Sequence, residues 1–422
     1  MDASQISIEI EISVNGEWRL LGRLDRGLTR VELNYDINYA CDHMGQAVFG
    51  VSLAHPPDFS GASFSDLPPF AYDYMGGGFA RELRQSAKAS TLTEWDHLRA
   101  SYNPQGNLRF FTFGTNRHEV DIVRSNNPLA WKLEALKMEA LKTLTYEANG
   151  QQQALFQGNS DTQGNCPKLW IVIKGDEAHA DLGLDQPGEF CLMKFPRGKR
   201  SKMQEILRLE APYLEVARAL GLHVGAPLRV HGKVLLIPRF DRFWCDGKVI
   251  RLGQESLFSA AQVPGQQAGV DHWRYCDVIT KFSCQPAKDL LEYVRRDILN
   301  LCMRNPDNHG RNNAFLKDPV NGVTLSPLYD FAPMYLDDNV IPRCTRWGEY
   351  ERYESEIDWH GVLAQLHQRY GLEKTTLQPF VAVLAELPKT CEQQGLPPQR
   401  IADCRDAWQR QLGPLQQAMV AG

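Results

Sequence analysis

Three polar side chains in the second half of the chain, Asp307, Asn312 and Asp330, have the types and spacing that phosphoryl transfer requires. Asp307 opens the polar run DNHGRNN, and Asn312 follows it by five positions. Asp330 comes eighteen residues after Asn312, directly behind Leu328 and Tyr329. In phosphotransferases with this layout the first aspartate orients the attacking hydroxyl, while the asparagine and the second aspartate hold Mg2+ on the nucleotide phosphates. The residue types suit that task, because Mg2+ is bound through one or two carboxylates together with phosphate and water. The same run, rich in Asp, Asn and Gly, is equally a good polar loop whose side chains bond their own backbone. The rest of the chain has to decide between chemistry and a turn.

A helix and several strands must position these groups. Residues 287–303 carry Leu290, Leu291, Val294, Ile298 and Leu299 at helical spacing and run into the Asp307 loop. Lys194 interrupts the apolar segment from Phe190 to Pro196. Burying an unpaired ammonium is costly, so this lysine either snorkels at a sheet edge or meets phosphates and a helix glutamate. That helix is available over residues 205–220, where Ile206, Leu209, Tyr213, Leu214 and Ala217 form a stripe and Glu210 points to one side. Pro212 predicts a break or a second helix start, and Gly221 predicts the end. A polar, glycine-containing loop from Gly158 to Lys168 precedes the apolar strand 169–173, and 228–230 with 234–242 form a hairpin that exits in RFDR, residues 239–242.

Upstream, Ile6, Ile8, Ile10 and Ile12 alternate with polar residues and Asn15-Gly16 supplies a hairpin turn, which predicts a small β-rich module. Gly76 to Gly78 lack the Lys-Ser/Thr of a phosphate-binding P-loop and read as a tight turn before a helix opening near Phe79. Residues 131–146 have the spacing of a packing helix, and 354–370, 375–394 and 398–420 predict three more. The 422 residues suffice for two or three domains, and 43% hydrophobic with 23% charged residues is ordinary for a globular protein. A net charge of −5 gives no support to direct nucleic-acid binding by the whole surface. Ten scattered cysteines without a CxxC pair predict reduced thiols rather than zinc or disulfides. No apolar run is long enough for a bilayer and no charged-then-apolar leader is evident, so the expectation is a cytoplasmic protein with no membrane contact.

Taken in order, the landmarks resemble the HipA family of bacterial kinases, the toxin components of HipA–HipB toxin–antitoxin systems. The resemblance runs from about residue 10 to about 335. It rests on the N-terminal β module with LPPFAYDYMGGGFAREL, on GNCPK before a strand, and on Lys194 in CLMKFP. RFDR followed by Gln254-Glu255, then NPDNHGRNNAFL and PLYD, complete it. Each motif alone is weak, but their common order and spacing are specific. The resemblance implies an α+β, atypical protein-kinase-like bilobal fold with ATP between the lobes. Residues 1–95 would be an extra N-terminal β-rich subdomain, 96–243 the kinase N-lobe, and 244–422 a mostly helical C-lobe. By the same resemblance Asp307 is the catalytic aspartate, and Asn312 and Asp330 are the Mg2+ ligands, with Asp330 also in the nucleotide site. Lys194 is similar to the lysine that holds ATP phosphates, with Glu210 as a weaker assignment for its partner. Pro238, Arg239 and Phe240 resemble the hinge that meets adenine. Gln163, Gly164, Asn165, Cys166, Pro167 and Lys168 resemble the phosphate-facing loop, and His309, Gly310, Arg311 and Asn312 complete the nucleotide contacts.

Family members phosphorylate translation factors, notably aminoacyl-tRNA synthetases, and are neutralised by a DNA-binding HipB-type antitoxin, so the resemblance implies a protein substrate and such a partner. Two positions depart from the pattern. The family's loop carries a serine that is autophosphorylated to shut the kinase off; Asp161 stands at that spacing from Gly164, flanked by Ser160 and Thr162. Gly253 precedes Gln254 where a histidine is common. Two other readings stay open at this stage: a small-molecule kinase of the antibiotic or sugar type, which shares the Asp-x4-Asn and Asp layout, and a non-catalytic binding protein on a kinase fold.

Overall fold

Asn15 and Gly16 both take positive φ, 51° and 77°, the combination that closes a two-residue hairpin with the twist of its strands. They join β1 (Ile6–Val14) to β2 (Glu17–Arg26) in the computed structural model, which describes residues 6–78, 81, 85, 91–117, 130–133, 166–197, 201–265, 269–353 and 356–420. After β3 (Val31–Tyr35) come helix α1 (Ile37–His43), β4 (Ala62–Phe64), the short helices α2 (Ala71–Tyr74) and α3 (Glu94–Leu98), and β5 (Leu108–Thr112). The five strands form one antiparallel sheet in the order β4-β3-β2-β1-β5. Its apolar face, with Ile8, Ile10, Ile12, Leu24 and Phe110, packs on Phe70 and Tyr74. β5 supplies the backbone partners of β1 from Ile8 to Ile12, and Arg109 on β5 neutralises the buried Glu11 at 2.7 Å. The N-terminal sheet is therefore complete only at residue 112, and the boundary expected at residue 95 runs through the module.

A second antiparallel sheet combines β6 (Ala130–Lys132), β7 (Lys168–Lys174), β8 (Glu177–Ala180), β9 (Glu189–Lys194), β10 (Arg229–His231) and β11 (Val234–Pro238) in the order β10-β11-β9-β7-β8-β6. Helix α4 (Ser201–Ala219) leaves β9 and packs beside β10 and β11. Pro212 lies inside it and does not split it. A mid-helix proline costs about 3 kcal/mol. The neighbouring Leu209, Tyr213, Leu214 and Val216 are all buried, and each large apolar side chain contributes roughly 1.5–3 kcal/mol, which outweighs that cost. Gly221 ends the helix at φ 80°, with the Leu222 N–H bonded to the Ala217 carbonyl at 3.0 Å. Trp131 falls in β6; residues 134–146 of the helix expected there lie outside the described residues, as does Phe79.

The hairpin of β12 (Arg242–Cys245) and β13 (Lys248–Arg251) crosses the boundary expected at 243, and leads to β14 (Gly253–Ser256), helix α5 (Leu257–Ala260), α6 (His272–Phe282) and α7 (Pro286–Cys302). β14 pairs with β15 (Ala314–Asp318), which pairs with β16 (Gly322–Leu325). After the small antiparallel pair β17 (Glu351–Tyr353) and β18 (Glu356–Ile357), the lobe continues in helices: α8 (Trp359–Tyr370), α9 (Gln378–Leu384), α10 (Leu387–Gln393) and α11 (Pro398–Val420). The single helix expected over 375–394 divides at Pro388, which occupies a first-turn position of α10, where a missing N–H is harmless. One large core joins α4, α6, α7 and the C-terminal helices.

Buried polar groups join the modules. Glu255 on β14 accepts from Ser52 Oγ (2.6 Å) and the Leu53 N–H (2.7 Å), Lys317 donates to the Gly50 carbonyl (2.8 Å), and Asp73 accepts from Ser256 N and Oγ (2.8 Å each). Arg242 reaches Asn103 (2.7 Å) and the Pro104 carbonyl (2.8 Å), while Asp241 accepts from the Gly106 N–H (2.7 Å). The second half of RFDR and Glu255 are thus joints between modules. No helix among the described residues is long and apolar enough to cross a membrane.

Candidate active site

Helix α7 closes its last turn with the Met303 N–H on the Leu299 carbonyl (2.9 Å) and ends there because Arg304 turns the chain into the left-handed region at φ 54°. Asn305 then bonds Asn300 twice, through its N–H (2.8 Å) and its Nδ2 (2.9 Å), which sets the approach to Asp307. The next residue, Asn308, is buried and braces the loop from behind. Its Nδ2 donates to the Thr345 carbonyl (2.8 Å), and its Oδ1 accepts from the Cys344 and Thr345 N–H groups (3.2 Å each). Gly310 lies so close to Tyr275 that a Cβ would come within 2.3 Å of the phenolic oxygen, so only glycine fits. The turn Gly310–Asn312 brings Asn312 back, and its Nδ2 donates to the Asp307 carbonyl at 2.8 Å. That commits the amide nitrogen and leaves the side-chain oxygen as an acceptor. His309 Nε2 stands 3.2 Å from Asp307 Oδ1. Burial pushes the Asp307 carboxyl above its ordinary range; His309 pulls it down and the charge of Asp330 pushes it up.

Asp330 is reached from β16 through a segment held by the Leu328 N–H on the His223 carbonyl (2.8 Å) and by Tyr329 Oη on the Arg311 carbonyl (2.7 Å). Asp330 itself has φ 53°, in the left-handed region that Asp and Asn tolerate best among side-chain-bearing residues. Lys194, at the end of β9, donates to Glu210 Oε2 on α4 at 2.7 Å and to Asp330 Oδ1 at 2.5 Å. The lysine does not snorkel: its side chain is only 9% exposed. Burial alone would lower its pKa, but the carboxylates of Asp330 and Glu210 hold it well above the ordinary value. Burial likewise opposes ionisation of Asp330, yet Lys194 and then Lys168 keep its carboxyl well below the usual range. Glu210 shares its one lysine with Asp330, and burial pushes its carboxyl upward. Lys168 sits directly across from Lys194 in the β7–β9 register and is buried.

These groups line one cleft of 630 Å³ between the lobes. Cys166, Lys168, Lys194 and Glu210 form one wall, Asp307, His309, Arg311, Asn312 and Asp330 another, and Pro238, Arg239 and Phe240 lie at the hinge. Arg239 departs from its expected role in one respect. Its guanidinium turns inward over Trp170 (3.6 Å to the ring centre) and bonds Asp241 Oδ1 (2.7 Å), so its side chain anchors the hinge. Pro167 gives its carbonyl to the Phe195 N–H (2.9 Å), and Arg311 donates to the Gly265 carbonyl (3.0 Å) over the Phe258 ring. Gln163, Gly164 and Asn165, with Ser160, Asp161 and Thr162, lie outside the described residues.

Sequence reasoning missed the contribution of the N-terminal module. Tyr72 and Gly76 to Gly78 line the same cleft, and Arg81 ties that stretch down through the Gly76 carbonyl (3.0 Å) and Glu94 (2.7 Å). The glycines were legible as a turn, but nothing local in them shows which surface the turn faces. Arg197 and Asp337, joined by two bonds of 2.8 Å, were missed as well.

The donor set fits Mg2+ and a phosphate chain. Asp330 and the Asn312 oxygen are hard oxygen donors of the kind Mg2+ takes. Lys168 and Lys194 bring two buried ammonium donors to the same wall, beside Glu210 and Asp330, where phosphate oxygens can accept from them.

HipA of Shewanella oneidensis MR-1, solved with HipB and its operator DNA, superposes with a TM-score of 0.64 over 97% of each chain at 17% identity, which shows the fold alone. The Helicobacter pylori kinase CtkA aligns with a TM-score of 0.39 and 12% identity, over 62% of this chain and 94% of its own. Y4mE of Sinorhizobium fredii, which carries the name of a kinase, is 34% identical over 143 residues; the match spans 32% of this chain and only 34% of that relative's length. The architecture is an atypical kinase-like α+β fold. Residues 160–392, more than half of the chain, match the model of the HipA-like C-terminal domain, and the chain belongs to the HipA family.

Proposed function

We propose that this protein is an ATP- and Mg2+-dependent serine/threonine protein kinase of the HipA type, acting in the cytoplasm on a translation-related protein such as an aminoacyl-tRNA synthetase. The observation that carries the reading is Lys194, buried between Glu210 and Asp330 on the wall of a cleft that also contains Asp307 and Asn312. Lys194, with Lys168 beside it, would bind phosphate oxygens, and Glu210 would hold Lys194 in place. Asp330 and Asn312 would hold Mg2+, which supplies neutralisation of the charge that develops on the phosphates. Asp307 would accept a hydrogen bond from the acceptor hydroxyl and take its proton as the oxygen forms its bond to the γ-phosphorus. The bond from that phosphorus to the bridging oxygen breaks, and ADP leaves. Serine/threonine specificity and the translation-related target rest on the family. A HipB-like antitoxin as partner is supported by the complex in which the Shewanella HipA was solved. Net charge −5 gives no support to nucleic-acid contact except through such a partner.

The test is transfer from γ-labelled ATP in a lysate, with label in protein compared with label in small metabolites. Label on serine or threonine of a discrete protein supports the proposal. Label in a small metabolite makes this a small-molecule kinase, and nucleotide binding without transfer makes it a binding protein.

A further inference from the structure

The C-terminal helix α11 matches no motif, yet its first turns touch all three pieces of the site. Asp403 Oδ2 accepts from Tyr335 Oη at 2.9 Å, and Tyr335 lies five residues beyond Asp330. Arg400, bonded to the same Asp403 oxygen at 2.5 Å, donates to Glu205 Oε1 at 2.8 Å, and Glu205 lies five residues before Glu210 on α4. Arg304, three residues before Asp307, donates to the Asp403 carbonyl at 3.2 Å and stacks over the Tyr335 ring at 4.2 Å. Gln399 completes the node by donating to Asp403 Oδ1 at 2.9 Å. The turn at Arg304, the segment after Asp330 and the helix of Glu210 therefore meet at one residue, the first at the Asp403 backbone carbonyl, the second at its carboxylate and the third at that carboxylate through Arg400.

The arrangement has a physical reason. Glu210 and Glu205 are separated by about 7.5 Å along the helix and by roughly 140° around it. Glu210 can thus face Lys194 while Glu205 faces α11. A carboxylate accepting from Tyr, Arg and Gln is a charge-assisted network, stronger than neutral pairs and defined in direction. Asp403 and Arg400 are half-buried rather than fully exposed, which limits screening by water.

We infer that Asp403 is a positioning residue: through it, the C-terminal helix holds the Glu210 helix, the Asp330 segment and the Asp307 loop in mutual register. The inference deepens the proposed reading of the cleft, but its test needs no catalysis. Amide hydrogen exchange of the full chain without nucleotide is the measurement, because exchange reports local opening. In Asp403→Ala, exchange should rise about ten-fold in residues 201–208 and 331–336 together, while 303–307, bonded through Arg304 to the Asp403 backbone carbonyl that alanine keeps, and the cores of α6 and α7 retain their protection. Tyr335→Phe removes one spoke and should loosen 331–336 without loosening 201–208. Arg400→Met should do the reverse. These two single-spoke variants keep the test open should Asp403→Ala fail to fold. Faster exchange confined to α11, or spread evenly over the C-lobe, overturns the inference. A wild-type chain that transfers no phosphate would overturn the kinase reading and leave this exchange pattern to be judged by itself.

Discussion

At the scale of single residues, the site was legible where chemistry forces an unusual residue into an ordinary element. Lys194 in an apolar strand and the Asp307, Asn312 and Asp330 spacing were visible in the chain, and the cleft brings all four together. Asn308 was not, since a buried asparagine bracing a loop from behind looks like any loop asparagine until its partners near Thr345 are known. Replacing Lys194 with Met keeps the strand apolar and removes the charge, so affinity for Mg2+-ATP by calorimetry should fall at least about ten-fold, the equivalent of one charge-assisted hydrogen bond of roughly 1.5–3 kcal/mol. Unchanged affinity would mean that Lys194 serves only to neutralise Glu210 and Asp330. Asp330 carries a backbone constraint in addition to its charge. Because its φ is 53° and its carboxylate pairs with Lys194, Asp330→Asn should abolish transfer and lower the urea midpoint only through the lost ion pair, whereas Asp330→Ala should lose transfer and a further ~1 kcal/mol or more of stability.

At the scale of elements, periodicity and punctuation gave the helices and strands, and failed where packing overrides them. Pro212 predicts a break that Leu209, Tyr213 and Leu214 prevent by burial on both sides of it, while Pro388 does divide a helix, because there a new first turn can begin. The C-lobe helices also enclose a charge cluster invisible to periodicity. Arg343 on Asp297 (2.7 and 2.8 Å) and Glu351 (2.8 Å) lies beside His272, whose ring stacks on Trp347 at 4.4 Å. Arg343 can only donate, so His272 Nε2, 3.1 Å from it, is the acceptor and the ring is neutral. Burial pushes the His272 pKa down to about 3, with Asp297 pulling it back up. The unfolded chain takes up this proton near pH 6.5 and the folded one does not. Stability from His272 is thus present above about pH 6.5 and falls by up to about 1.4 kcal/mol per pH unit below it, towards pH 3. Asp297, held down to about 2 against burial by Arg343, adds a loss in the same direction below about pH 4. Urea midpoints between pH 7 and pH 5 should therefore decline in the wild type and decline less steeply in His272→Gln. Equal slopes would show that the histidine is not neutral when buried.

At the scale of the whole molecule, the N-terminal module is part of the cleft rather than an appendage, since its glycine triplet lines it and its joints are buried. Sequence order could not show this: β5 returns to β1 across nearly a hundred residues, and Glu255 meets Ser52 and Leu53 from the far side of the N-lobe. Glu255→Ala would leave Lys317, fully buried and 3.8 Å away, without its carboxylate. Breaking such a pair costs about 3–5 kcal/mol, so chemical denaturation should show a loss of that size; a loss below about 1 kcal/mol would mean that this joint contributes little to holding the modules together. The joints matter to function because they keep Tyr72, the glycines and the hinge around one cleft. The central claim, that this cleft transfers phosphate with Asp307 as its base, is tested most directly by the rate of γ-phosphate transfer to lysate protein by wild type and by purified Asp307→Asn, side by side. The account predicts transfer by the wild type and a loss of about 10²–10⁴-fold in the variant with Mg2+-ATP affinity retained; near-wild-type transfer by Asp307→Asn would contradict it.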